Sequence, residues 1–109
     1  MISVLLVRRE GFLACKASGH ALFDKNGRDI VCAAATVLLR TAALTLDGRS
    51  GVAFDGRAPE RGVLSFEARA DGGSGKLELE FAADFLQKGF ESLAKEFPQN
   101  VQFESKLEE

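Results

Sequence analysis

The stretch GHALFDKNGRDIVCAAATVLLRTAALTL, residues 19–46, decides how this chain is organised. It begins with His20 at the end of an alternating strand pattern, passes through a polar loop, and then becomes almost entirely apolar. Asp29 stands where the polar loop ends and the apolar run begins. Its carboxylate is a typical N-cap because it accepts hydrogen bonds from N–H groups of the first helical turn. The pattern therefore predicts a helix over Ile30–Leu46.

This predicted helix has very little polar surface for its length. Its run of small and apolar residues is interrupted chiefly by threonines and one arginine. A helix of this composition must be covered on most sides. In a chain of 109 residues, we expect a sheet to cover one face and a second element, such as another subunit, to cover another. The sequence thus predicts one largely buried helix.

Short alternating segments surround the helix, as expected for strands. The predicted strands are Ile2–Arg8, Phe12–Ser18, Gly51–Phe54, Val63–Ala70, Lys76–Phe81 and Val101–Glu104. A second helix is predicted over Ala83–Phe97, and the glycine-rich segment 71–75 is interpreted as a hairpin turn. The resulting order, β-β-α-β-β-β-α-β, is typical of an α+β fold with a mainly antiparallel sheet. We expect residues 1–109 to form a single domain.

Composition excludes several classes of protein. With 46% hydrophobic and 28% charged residues, the chain has an ordinary globular composition. No apolar run is long enough to span a bilayer, and the first eight residues lack the pattern of a signal peptide. We therefore expect a cytoplasmic protein without membrane contact. In a reducing compartment, a disulfide between Cys15 and Cys32 is not expected.

Charge is distributed unevenly along the chain, although the net charge is only −2. Residues 1–45 carry six basic and three acidic side chains, whereas residues 46–109 carry eight basic and thirteen acidic ones. The basic side chains of the first half could meet an acidic partner or RNA, and a mixed solvated surface explains them equally well. Because aromatic residues are not interleaved with these cations, we expect no direct nucleic-acid binding.

Cys32 and His20 are the candidate catalytic residues. Near the N-terminus of a helix, unpaired N–H groups and the helix dipole favour thiolate over thiol, which makes the sulfur nucleophilic. His20, the only histidine, is placed at a strand tip by Gly19 and has the chemistry of a general base and acid. The plain alternative is a small core cysteine and an unrelated surface histidine.

The second cysteine has a simpler interpretation. Leu13, Cys15 and Ala17 share one face of their strand by alternation, so Cys15 is expected to be a core residue without a chemical role. A metal site would need a fourth ligand beside Cys15, His20 and Cys32, and the sequence offers no evident one. We therefore expect neither a metal nor another cofactor.

The segment around the candidate pair resembles a known signature. Gly19-His20-Ala21, Gly27 and Asp29-Ile30-Val31-Cys32-Ala33-Ala34 are similar to the motif of the Prp family of ribosomal-processing cysteine proteases. The resemblance implies that Cys32 is the nucleophile and His20 the proton donor and acceptor. Thr36 stands where the family often has serine, and Asp29 matches the family's acidic position. Ala21 and Gly27 belong to a loop that we expect to admit the substrate.

The resemblance also implies a substrate and a partner. Members of the family are expected to be homodimers that remove the N-terminal extension of large-subunit ribosomal protein L-twenty-seven after a pair of aromatic residues. Two alternatives remain open from the residues. One is a non-enzymatic, ribosome-associated binding module of the same fold, and the other is a protease of the same family with a different substrate.

Overall fold

The computed structural model describes residues 1–20, 24, 29–58, 63–71 and 73–108. In chain order its elements are β1 (Ile2–Arg9), β2 (Phe12–Gly19), α1 (Ile30–Leu46), β3 (Val52–Arg57), β4 (Val63–Ala70), α2 (Lys76–Glu96) and β5 (Val101–Leu107). The α+β class and the mainly antiparallel sheet with two helices are confirmed.

The sheet has the strand order β3-β4-β2-β1-β5. The pairings β1–β2, β2–β4 and β3–β4 are antiparallel, whereas β1 and β5 run parallel. In the register, Ile2 lies opposite Gly19 on one side and opposite Val101 on the other. The beginning of β1 therefore holds the end of β2 in place, which is where His20 follows.

One face of the sheet carries the core. Alternate residues of β1 are buried, namely Ile2, Val4 and Leu6, and they form one cluster with the buried residues of both helices. In α1 the buried residues are Val31, Ala35, Leu39, Ala42 and Leu46, which recur at helical spacing. Both helices thus pack on the same face of the sheet and give two layers.

The burial of α1 is one-sided within the chain. Its sheet-facing side is buried, but Ile30 and Val37 are each 60% exposed and Leu44 is 67% exposed. These three residues recur every seven positions and so follow a single stripe of the helix. Burial of this second side stays a prediction, because it needs another molecule.

The predicted strand over Lys76–Phe81 is wrong, since these residues form the first part of α2. The preceding glycine-rich segment therefore leads from β4 into a helix and is not a hairpin turn. Leu77, Leu79 and Phe81 alternate, but the buried residues Leu79, Ala82, Ala83, Leu86, Phe90 and Leu93 follow the helical period.

An alternating pattern of only six residues is compatible with a strand and with a helix, and the long-range packing of α2 decided in favour of the helix.

Among the residues described, neither α1 nor α2 combines the length and the apolarity that a membrane-crossing helix needs.

Candidate active site

The first turn of α1 fixes the position of Cys32. Asp29 is the N-cap, with extended backbone angles, and its Oδ1 accepts a hydrogen bond from the backbone N–H of Cys32 at 2.9 Å. The carbonyl of Asp29 also accepts the first helical bond, from Ala33 N–H at 3.0 Å. Cys32 is therefore the third residue of the helix, at its electropositive end.

His20 follows the last residue of β2. Gly19 has a φ of +92°, and a Cβ at this position would collide with the carbonyl oxygen of Met1. A glycine is required there because the chain turns in the left-handed region against a neighbouring backbone. The turn leaves the side chain of His20 exposed at the end of the strand.

His20, Cys32 and Thr36 line the same cavity, whose volume is about 290 Å³. The structure therefore brings His20 together with residues that are 12 and 16 positions further along the sequence. Cys32 is partly buried. The hydroxyl of Thr36 donates to the carbonyl of Cys32 at 2.8 Å, so it is engaged with the helix backbone. Asp29 contacts the backbone N–H of Cys32.

A second cavity, of about 220 Å³, continues from the first along α1. The two share Leu39, Arg40, Ala58 and Leu64 as lining residues. The far part is walled by Phe54 and Phe66, whose rings stack with centroids 5.6 Å apart. We call the two cavities together the α1 groove, which runs from His20 and Cys32 towards the end of α1.

Sequence reasoning missed Arg40 as a residue of this site. Cys32, Thr36 and Arg40 are spaced four apart, which places them on one helical face. That spacing was available in the sequence. The sequence did not reveal the position of β3 and β4. These strands make this face of α1 the wall of a groove rather than a solvated surface.

Cys15 lies in the core beneath the sheet and is not part of the candidate site. It is 1% exposed, and burial raises the pKa of its thiol to about 12. It is therefore a neutral core residue, as expected.

Among the described residues, no cluster of three or more His, Cys, Asp or Glu side chains is arranged to hold a metal ion. The predicted loop residues Ala21 and Gly27 lie outside the described residues.

Solved structures resemble this fold closely. SMU.848 from Streptococcus mutans is 22% identical, with 99% of this chain and 96% of that chain covered and a TM-score of 0.74. The essential ribosomal processing protease Prp from Staphylococcus aureus, in complex with a covalently linked product peptide, is 25% identical over 97% of this chain and 100% of that chain, with a TM-score of 0.70.

A structure of the same S. aureus protease with a substrate peptide has a TM-score of 0.72 at 22% identity, covering 97% of this chain and 100% of that chain. At identities this low, the structural similarity establishes the fold alone. None of the curated proteins matches the chain. The family model described as cysteine protease Prp matches residues 1–102, which is nearly the whole sequence. The chain therefore belongs to the Prp family of cysteine proteases.

Proposed function

We propose that this chain is an endopeptidase that removes the N-terminal extension of large-subunit ribosomal protein L-twenty-seven, cutting after paired aromatic residues. The observation that carries the proposal is the shared cavity of His20 and Cys32 in a chain of this family. The S. aureus relative is described as a ribosomal processing protease and has been solved with substrate and product peptides. This role places the enzyme in the cytoplasm, where ribosomes are assembled.

Cys32 is the nucleophile and His20 the acid and base in the proposed mechanism. The thiolate sulfur attacks the scissile carbonyl carbon and forms a tetrahedral oxyanion. His20 protonates the leaving amine as the C–N bond breaks, which leaves a thioester on Cys32. His20 then takes a proton from water, whose oxygen attacks the thioester and releases the new carboxylate and the thiolate.

The oxyanion needs hydrogen-bond donors that are already in place. The N–H of Cys32 donates to Asp29 at 2.9 Å, so it is not available while the cap is intact. The proposed donors are therefore other N–H groups of the first turn of α1, which have no partner inside the helix. The cap keeps this turn ordered, which is how Asp29 supports the reaction.

The α1 groove fits an extended peptide with two aromatic side chains. Its two cavities are contiguous, with volumes of about 290 and 220 Å³. Leu39 and Leu64 line both of them, and Phe54 lines the far one. Apolar walls of this kind bind aromatic side chains by removing their surface from water.

The second partner in this proposal is another copy of the chain. Ile30, Val37 and Leu44 form an exposed apolar stripe on α1, at 60%, 60% and 67% exposure. The stripe is symmetric about Val37, because Ile30 and Leu44 are each seven positions from it. Two copies of α1 packed antiparallel around a two-fold axis would therefore bury Val37 against itself and Ile30 against Leu44.

Cleavage of an L-twenty-seven N-terminal peptide by the purified chain, followed by mass spectrometry, tests the proposed function. We expect one cut after the aromatic pair, complete loss of cutting in Cys32→Ala and His20→Gln, and retention in Cys15→Ala. Equal cleavage by Cys32→Ala would remove the nucleophile from the mechanism.

The same experiment separates the alternatives. Binding of the peptide without any cleavage by the unmodified chain would identify a non-enzymatic module. Cleavage of unrelated aromatic-pair peptides, but not of the L-twenty-seven peptide, would identify a family protease with another substrate.

A further inference from the structure

Arg40 lies in the α1 groove two helical turns beyond Cys32. It lines both cavities, together with Leu39 and Leu64. Eight residues of helix separate the Cα atoms of Cys32 and Arg40 by about 12 Å along the axis. Helical side chains lean towards the N-terminus, so we expect the guanidinium to lie on the Cys32 side of its own Cα, in the cavity that both residues line. It is thereby placed beside a peptide residue about two to three positions from the scissile bond.

The guanidinium of Arg40 has no acidic partner within the part of the chain that the structure describes. Other basic side chains do have one: Arg8 pairs with Asp84 at 2.9 Å, Arg57 with Asp55 at 3.1 Å, and Lys76 with Glu10 at 2.9 Å. Arg40 is exposed at the groove, so water satisfies its five donors in the free protein.

Positive charge in the α1 groove is concentrated at Arg40. Of the other charged side chains that line the groove in the described part of the chain, Arg57 pairs with Asp55 at 3.1 Å and Asp47 is a carboxylate. Asp47 follows the last residue of α1, about 10 Å further along the axis from Arg40. The positive part of the groove is therefore the part next to Cys32.

A bound peptide changes what Arg40 needs. It displaces water from a groove whose walls are largely apolar, and a cation that loses water there must gain another acceptor. A carboxylate on the peptide provides that acceptor, because a guanidinium binds both oxygens of a carboxylate in one plane. An amide is a weaker acceptor, and a lysine at the same position adds like-charge repulsion.

We infer that Arg40 makes this protease select peptides with an acidic side chain two to three residues from the scissile bond. The inference rests on the proposed function only in that the peptide is cut at Cys32, and it does not depend on which protein supplies the peptide. Arg40 is thus a specificity-determining residue of the groove. A charge-assisted pair of this kind corresponds to a preference of about 5- to 30-fold for Glu over Gln.

Matched peptides that keep the aromatic pair and carry Glu, Gln or Lys at the third position before the cut, or at the second or third position after it, test the inference by kcat/KM. We expect the unmodified chain to prefer Glu at one of these positions and to reject Lys. In Arg40→Gln the Glu and Gln peptides become equivalent within about twofold, and Arg40→Glu prefers Lys. Arg69→Glu is the control, because Arg69 is exposed and alternates along β4 with the buried Phe66 and Ala68.

Two results would overturn the inference. One is a preference for Glu that survives in Arg40→Gln, and the other is an equal loss of kcat/KM for all peptides, as expected if Arg40 stacked on an aromatic side chain. Binding of the same peptides to Cys32→Ala, with and without Arg40→Gln, is measured in parallel. If no peptide is cut, the proposed function fails, while a Glu preference in binding that requires Arg40 still supports the inference.

Discussion

Oδ1 of Asp29 lies 2.9 Å from the backbone nitrogen of Cys32 and accepts its N–H. The residue that caps α1 is therefore hydrogen-bonded directly to the residue that we propose as the nucleophile. In the proposed mechanism this bond couples capping to catalysis, because the cap orders the turn that carries the sulfur and occupies one of the N–H donors of that turn.

Replacing Asp29 separates the capping role from the carboxylate charge. Asn retains an oxygen acceptor at the N-cap, so Asp29→Asn should keep the free energy of unfolding within about 0.5 kcal/mol, whereas Asp29→Ala should lower it by about 1 kcal/mol. Urea denaturation measures both. Equal destabilisation by the two variants would show that the charge, and not the cap bond, holds the turn. Peptide cleavage should follow stability, with the larger loss in Asp29→Ala.

Gly19→Ala should disturb the end of β2 and the position of His20. The new Cβ meets the carbonyl of Met1 at a φ of +92°. Gly73 is a matched control, because it has a φ of +97° but no atom within 4 Å of a Cβ. Gly73→Ala should cost about 1 kcal/mol for the left-handed backbone alone. Gly19→Ala should cost at least about 1 kcal/mol more in urea denaturation.

Cleavage should also separate these two variants. Displacing a catalytic group by about 1 Å lowers rates by up to roughly a hundredfold, so Gly19→Ala should slow peptide cleavage strongly while Gly73→Ala should not. If both variants cut at the rate of the unmodified chain, the turn at Gly19 does not position His20.

The buried thiol of Cys15 should make the fold sensitive to high pH. Burial raises its pKa in the folded chain from the ordinary value of 9.0 to about 12. Between these values the unfolded chain loses the thiol proton and the folded chain keeps it, so stability decreases as pH rises above 9. The slope attributable to this group is roughly 1 kcal/mol per pH unit.

Cys15→Ala removes that group, and the control is the same pH series on Cys32→Ala. Denaturation curves between pH 8 and about pH 10.5 should show a shallower decline for Cys15→Ala than for the other two chains. Parallel declines in all three would mean that Cys15 does not titrate on unfolding.

Val37→Glu should dissociate the proposed dimer. Val37 is 60% exposed at the centre of the apolar stripe on α1, and a two-fold axis there would place two introduced carboxylates against each other. Phe81→Glu is the matched control on α2, since Phe81 is 76% exposed. Sedimentation at micromolar concentration should give a dimer for the unmodified chain and Phe81→Glu, and a monomer for Val37→Glu. Dissociation by Phe81→Glu instead would move the interface to α2.

Local patterns in the sequence were sufficient for much of the fold. The strands β1 and β2 follow from alternation, and α1 follows from its apolar run and its cap. The cap of Asp29 on Cys32 spans only three positions, so both its residues and its geometry are local. The candidate pair His20 and Cys32 was identified by residue type, by placement at a strand end and a helix start, and by a motif.

The beginning of α2 required tertiary information. Gly75, its N-cap, has a φ of +86° and lies so close to Gly51 that no Cβ fits between them. The carbonyl of Gly51 also accepts from Asp71 N–H at 2.8 Å. These contacts join residues at least 20 positions apart, so they fix the start of the helix in a way that a short alternating window does not express.

By itself, the sequence determined the period of most segments, the cap of α1 and the residue types at the candidate site, because these depend on neighbours within one or two turns. Only the tertiary structure decided that β1 pairs in parallel with β5, that Lys76–Phe81 is helical, and that Arg40 lines a groove shared with Cys32. Each of these depends on which distant segment lies opposite, and that choice is made by burial of the whole core.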